Sequence, residues 1–180
     1  MHNQLNIAPV LHRFQIQPFD RAYAGQISTL FHRAVHAIDG RHYSAAQLNA
    51  WSSQPRSAKY WELRLTRTQA WMMLDFNPPK PLATPFCCGF INLETEYFQR
   101  GYIDSLYVHP EYQGRGVARQ LFHQVKLWAQ SREYPELLVD ASYYSRPLFE
   151  QEGFELLFKS YQPKSGQMLP GFHMRLPLSR

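Results

Sequence analysis

The stretch LYVHPEYQGRGVA, residues 106–118, constrains the fold of this chain more than any other. An apolar run ends at a proline, two glycines one residue apart follow, and an apolar-periodic segment begins directly behind them. A strand must therefore give way to a helix within a few residues. The chain has only 9 glycines in 180 residues, so two in one turn need a cause. A helix N-terminus exposes backbone N–H groups with no partner inside the helix, and the macrodipole adds a partial positive charge there. An anion such as a pyrophosphate fits that end. Glycine lets the anion reach the N–H groups, because no side chain projects, and it permits φ > 0. Gln113, Gly114, Arg115, Gly116, Val117 and Ala118 thus read as a phosphate cradle, with Arg115 adding charge. The lysine of a P-loop and the third glycine of a dinucleotide fingerprint are absent. Spacing alone therefore fits a plain strand-to-helix connector equally well.

The elements around the turn follow from periodicity. Residues 12–19, HRFQIQPF, read as a strand ended by proline. Asp20 offers an N-cap, and apolar residues recur at three and four from Arg21 to Ile38, which predicts an amphipathic helix stopped by Gly40. Ser44 caps a second short helix, with Gln47 as its capping-box partner. A third helix from Ala58 places Tyr60, Leu63 and Leu65 on one side. Strands follow at 70–76, 87–94 and 102–108, with the proline-rich 77–85 as a loop. Their short connections predict an antiparallel meander. A helix then runs from Gly116 to Arg132, with Val117, Leu121, Val125, Leu127 and Trp128 on one face. The apolar run 136–142 reads as a buried strand of the kind found in parallel sheets. A short helix stopped by Gly153 and two closing strands complete the chain. This order predicts one domain: an α/β fold with a mixed sheet and helices on its faces.

Composition narrows the function classes. Hydrophobic residues make up 44% and aromatics 15%, which excludes a disordered chain. No apolar run approaches the ~18 residues of a membrane span, and the N-terminus lacks a signal-peptide pattern, so a cytoplasmic protein without a membrane role is expected. The adjacent Cys87 and Cys88 suit a buried strand, one per face, rather than a disulfide. No His/Cys/Asp spacing suggests a metal. The net charge of +5 comes from scattered basic residues, so no nucleic-acid partner is expected.

The flanks of the glycine turn make it specific. An aliphatic-x-Val step, a proline and then Q-x-x-G-x-G/A opening a helix resembles the signature of the GNAT superfamily of N-acetyltransferases, and Gln113 to Ala118 supplies it. FEQEGF, residues 149–154, resembles a second family feature downstream. The resemblance covers about residues 12 to 162. It implies a mostly antiparallel central sheet with a β-bulge in the central strand. Strict alternation cannot put Ile103 and Leu106 on the same face, so the bulge is expected near Asp104 or Ser105.

The resemblance also implies chemistry: transfer of an acetyl group from acetyl-CoA to a primary amine of a small molecule or protein. The pyrophosphate would lie on Gln113 to Ala118, and the pantetheine arm would pair with Leu106, Tyr107 and Val108 like an added strand. The Val108 amide would serve the oxyanion. Ser142 and Ser145 would contact the cofactor. Asp104 is the expected base or amine anchor, with Tyr102 as an alternative. The family's usual acid is a tyrosine at the position of Phe149, which has no proton to give, so Tyr144 is the expected substitute. Tyr43, Ser44, Gln47 and Trp51 resemble a Y-S-x-x-Q-x-x-x-W segment of small bacterial acetyltransferases, and His36, Tyr43 and Trp51 would line the acceptor pocket. A homodimer is common in such families. Phe149 also keeps open a second reading, an acyl-CoA-binding sensor or interaction module without turnover.

Overall fold

The computed structural model describes residues 13–80, 82–97 and 100–178. Seven strands form one mixed sheet in the order β1-β2-β3-β4-β5-β7-β6. They are β1 (Phe14–Pro18), β2 (Gln69–Asp75), β3 (Phe86–Tyr97), β4 (Arg100–Val108), β5 (Glu136–Ala141), β6 (Glu155–Lys164) and β7 (Gln167–Pro177). All neighbours pair antiparallel except β4 and β5, which run parallel. The parallel pair requires a crossover, and α4 (Val117–Ser131) provides it.

The helices split between the two faces. On one face, α1 (Ala24–His36) and α3 (Ala58–Leu65) bury Ile27, Leu30, Trp61 and Leu65 against Met72, Leu74, Cys87 and Phe90. On the other, α4 and α5 (Arg146–Gln151) bury Leu121, Phe122, Val125 and Phe149 against Cys88, Leu93 and Ile103. The two cysteines therefore face opposite cores. The helix α2 (Ala45–Trp51) opens with the expected capping box: the Ser44 hydroxyl takes the Gln47 amide, and the Gln47 side chain takes the Ser44 amide.

Two helical faces differ from the sequence reading. In α3 the buried pair is Trp61 and Leu65, one turn apart, while Tyr60 and Leu63 are exposed. In α4 Leu127 points to solvent, and Ala129 completes the buried stripe. The first turn of the predicted long helix is a 3₁₀ turn at Arg21–Tyr23, capped by Asp20.

The central strand carries the expected bulge. Asn92 pairs with Ser105 and Leu93 with Ile103, so Asp104 is the extra residue. The phase shift lets Ile103, Leu106 and Val108 all pack against the α4-side core, while Tyr107 joins the other.

Candidate active site

The glycine turn lies between β4 and α4. Gly114 has φ +73° and Gly116 φ +77°, the left-handed region where a side chain is strained. A Cβ at Gly114 would meet nothing within 4 Å, so glycine is needed here for backbone conformation, and the space above the turn is open. Gly116 is the N-cap of α4 and offers no side-chain bond, so the first N–H groups of that helix face the open space.

The turn is braced from below. Tyr112, in the 3₁₀ turn Pro110–Tyr112, is buried, and its hydroxyl donates to Asp75 Oδ2 at 2.9 Å. Asp75 also accepts Arg13 Nε and Nη2, each at 2.9 Å, and the Asn77 amide at 2.9 Å. Burial pushes the Asp75 carboxyl up, but these bonds outweigh it and hold the carboxyl below its ordinary value. Burial and the Asp75 bond push the Tyr112 hydroxyl up to about 12. Arg115 lies over the Tyr112 ring, 5.3 Å from its centroid, and does not reach the groove described next.

The sheet opens beside this turn. β4 and β5 pair only from Gly101/Leu137 to Ile103/Val139. Beyond that the strands separate, and β4 presents an edge from Asp104 to Val108. A groove of about 660 Å³ runs along this edge from Gln113, Gly114 and Gly116 to Ser142 and Phe149. A smaller cavity of about 170 Å³ opens on the α1/α3 side, walled by Tyr43, Trp51, Arg64 and Gly171. The two spaces share Trp51, Asp104, Ser105, Tyr107, Asp140 and Ser142. They meet where the strands part.

Two carboxylates flank this seam. Asp104, the bulge residue, accepts Arg64 Nη2 at 2.6 Å, Asn92 Nδ2 at 3.2 Å and the Ser105 hydroxyl at 3.2 Å, all on Oδ2. Attraction to Asp104 holds the Arg64 guanidinium above its ordinary value, although burial opposes it. Asp140, on β5, accepts the Tyr102 hydroxyl at 2.8 Å and lies 3.3 Å from His173 Nδ1. Among the described residues, Asp104 therefore has a permanent counter-charge, and Asp140 does not.

The expected residues fall into three groups. Leu106, Tyr107, Val108, Gln113, Gly114, Gly116, Val117, Ala118, Ser142 and Ser145 all line the groove. The Ser142 and Ser145 hydroxyls lie 3.1 Å apart, and the Ser145 hydroxyl takes the Ser142 amide at 2.9 Å. Tyr43 and Trp51 wall the smaller cavity, and each hydrogen atom they offer is used: Tyr43 donates to Pro170 O at 2.9 Å, and Trp51 to the Tyr107 hydroxyl at 3.0 Å. Burial pushes the Tyr107 hydroxyl far up, so it stays protonated.

Three of the expected residues are placed differently from the expectation. His36 lines neither space; its Nε2 bonds Ser52 O at 2.7 Å and ties the end of α1 to that of α2. Arg115 is held on the Tyr112 ring rather than over the groove. Tyr144 reaches the groove, but its hydroxyl donates to the Asp39 carboxylate, which pushes it up and makes it a strap between two loops rather than a ready acid.

Sequence reasoning missed Arg64, Asp140, His173 and Arg119. Arg119 lines the groove while its guanidinium holds Glu152 at 2.8 Å. Asp140 carried a signal: a carboxylate that follows three apolar residues, Leu137 to Val139, in a strand, the same argument that singled out Asp104. The others depend on partners far away in sequence.

Comparisons with known proteins bear on the fold and the family. The model of the acetyltransferase (GNAT) domain matches residues 80–178. The Uncharacterized N-acetyltransferase YafP of Escherichia coli (strain K12) is 31% identical over 165 residues, spanning 92% of this chain and 97% of the relative. A GCN5-related N-acetyltransferase from Rhodopseudomonas palustris superposes with a TM-score of 0.78 at 24% identity, over 95% of this chain and 99% of that one. The yncA protein of Salmonella typhimurium, solved with its cofactor acetyl-CoA, gives 0.68 at 18% identity, over 93% and 95%. The fold is that of an acetyl-group-transferring enzyme class, and the chain belongs to the GNAT acetyltransferase family. It is an N-acetyltransferase.

Proposed function

We propose that this protein transfers the acetyl group of acetyl-CoA to a primary amine that enters from the α1/α3 side of the sheet. The observation that carries the reading is the meeting of two spaces at the strand separation, one ending at an open helix N-terminus and the other lined by carboxylates. The residues fit an acyl-CoA: two left-handed glycines expose N–H groups for a pyrophosphate, and an unpaired strand edge suits an amide-bearing arm. When bound, acetyl-CoA supplies the activated acetyl group.

The chain's own residues then have distinct tasks. Gln113 to Ala118 hold the pyrophosphate through backbone N–H groups, and Leu106 to Val108 pair with the arm. The Val108 amide serves the developing negative charge on the carbonyl oxygen. Ser142 and Ser145 contact the cofactor, and Ser142 also reaches the seam. Tyr43 and Trp51 exclude water from the acceptor side. Tyr102, bonded to Asp140, orients that carboxylate. Asp104 anchors the amine through the oxygen that Arg64 leaves open and takes the proton that the nitrogen gives up as it attacks. Water supplies the proton that the departing sulfur takes up, because Phe149 has none.

The reading includes a cytoplasmic enzyme; among the described residues no helix is long and apolar enough to cross a membrane. It also includes a homodimer. The edge strand β6 exposes Leu156, Leu157, Phe158 and Tyr161, an apolar surface that a second copy would cover.

The test is thermal unfolding with and without acetyl-CoA, followed by thiol release with a panel of amines. Cofactor at ~100 times its dissociation constant should stabilise the fold by about 2.7 kcal/mol. Stabilisation with no thiol release for any amine would favour the sensor reading. No stabilisation at millimolar acetyl-CoA would sink both.

A further inference from the structure

We propose that the acceptor is a small zwitterion: a primary amine that carries an oxyanion at its far end, held by Arg56 and Lys164 at the mouth of the smaller cavity. The proposal rests on the acetyltransferase reading and names the substrate class of the same site.

The argument starts from how charge is sorted along that cavity. Asp104 and Asp140 line both the cavity and the larger groove, so they stand where the two spaces meet. Arg56, Arg64 and Lys164 line the cavity alone. Arg64 is taken by Asp104 at 2.6 Å. Among the described residues, Arg56 and Lys164 form no ion pair. Both residues are exposed, as groups at a mouth must be. One end of the space therefore carries the carboxylates, and the other carries two cations with no protein counter-charge. An alkylamine would complement the first end and leave the second unmatched. An amine with an oxyanion at its other end complements both.

The backbone that carries each cation is fixed. Residues 52–57 connect α2 to α3, and the buried Ser28 hydroxyl of α1 donates to Arg56 O in that segment. The Arg56 guanidinium lies over the Tyr60 ring, 5.4 Å from its centroid, and Tyr60 also lines the cavity. Stacking uses the face of the guanidinium and leaves its N–H edge for an oxyanion, which can take two parallel bonds. Lys164 is the last residue of β6 and pairs with Gln167 of β7. The two residues between them, Ser165 at φ +43° and Gly166 at φ +79°, are both left-handed, the geometry of a tight two-residue hairpin. The hairpin strand β7 is docked on the α2 region: Gln47 Nε2 donates to Met168 O at 2.8 Å, and the Tyr43 hydroxyl to Pro170 O at 2.9 Å. Lys164 thus adds a point charge from a held backbone.

Size limits what the cations can hold. The cavity of about 170 Å³ is smaller than the roughly 300 Å³ and more that drug-sized ligands fill. Phe31, Trp61 and Leu169 give it apolar walls that suit a short methylene chain.

The experiment measures thiol release at saturating acetyl-CoA. The acceptors are the unbranched ω-amino acids from glycine to 6-aminohexanoate, the ω-aminoalkylphosphonates of the same lengths, and the matching alkylamines. The carboxylate and phosphonate arms tell which oxyanion the mouth prefers. The best oxyanion-bearing acceptor should exceed its alkylamine about tenfold in kcat/KM, with the difference in KM, because a contact far from the reacting nitrogen is made equally before and during the reaction. Arg56→Gln and Lys164→Gln should each lower that preference about threefold, and together about tenfold, the range of partly exposed ion pairs. Arg56→Lys and Lys164→Arg should keep part of it. Added salt should raise the KM of the oxyanion-bearing acceptor more than that of the alkylamine. Acetyl-CoA should stabilise every variant as it does the wild type, which separates a lost charge from a damaged fold. If the double variant does not fold, the single variants and the salt series decide. Alkylamines used as well as the amino acids and phosphonates, equal losses for all three classes in the glutamine variants, or a preference indifferent to Arg56 and Lys164 would overturn the proposal and leave the acetyltransferase reading standing. No thiol release with any acceptor, from a protein that acetyl-CoA does stabilise, would overturn the proposal in favour of the sensor reading. No stabilisation of the wild type by acetyl-CoA would overturn the wider reading and this one with it.

Discussion

The two ends of the site are built in different ways. The proposed cofactor end is written in one contiguous stretch, Leu106 to Ala118, where two glycines hold left-handed backbone conformations. The proposed acceptor end is assembled from pairs that meet only in the folded chain: Arg64 with Asp104, Tyr102 with Asp140 and Tyr43 with Pro170. A backbone requirement leaves a mark in residue type and spacing. A side-chain pair leaves none until the fold brings it together. One end can therefore be read as a motif, whereas at the other single residues can be named from the sequence and their pairing only from the fold.

The sharpest way to break that division is Asp75→Ala, because it asks how local the cofactor end is. Asp75 is fully buried and far from the turn in sequence, yet it holds the Tyr112 hydroxyl beneath it. Removing it leaves that hydroxyl without its acceptor and should cost about 2–3 kcal/mol in chemical unfolding. The pH dependence has a definite sign. The folded carboxyl lies below its ordinary value, so its contribution is complete above the unfolded carboxylate range and is lost as the pH falls through the folded value. The gap between wild type and variant should therefore be full at neutral pH and narrow below about pH 4. A gap independent of pH would mean that the charge on Asp75 does not matter.

Gly116→Val tests the motif itself. At φ +77° a β-branched residue is strained by about 1–2 kcal/mol. The nearest atom to an added Cβ is Gln120 Nε2 at 3.9 Å, so the cost is conformational and not a clash. The fold should survive with that modest loss, while the stabilisation by acetyl-CoA largely disappears. If the stabilisation persists, the turn is only a connector.

These two positions also mark what the sequence made legible. Element order, the Asp104 bulge, the capping box and the opposite-facing cysteines all follow from periodicity and local chemistry, and each stands in the fold. The failures share one cause. Tyr60 and Leu63 look apolar enough for a core, yet the neighbouring Trp61 takes it, because the angle of α3 is set by packing on β2 and β3. Tyr144 looked available as an acid because Asp39, its acceptor, is 105 residues away. His173 gave no signal at all, since its pairing with Asp140 depends on β7 inserting between β5 and β6.

Phe149→Tyr joins the two ends and should have the smallest effect on the fold. The ring is 1% exposed, lies 5.0 Å from Phe154 and 6.1 Å from Phe122, and also lines the cofactor groove beside Ser142. A hydroxyl added on the groove side meets open space and water, and stability should change by less than about 1 kcal/mol. A hydroxyl forced into the Phe122–Phe154 cluster would go unsatisfied and cost about 1–3 kcal/mol. The two cases separate in a single unfolding measurement. In the first, the variant also gains a proton donor that the wild type lacks, and thiol release at saturating amine should rise several-fold at neutral pH. An unchanged rate in a stable variant would mean that loss of the sulfur does not limit turnover, and that the acceptor end, with Asp104 and Asp140, sets the pace.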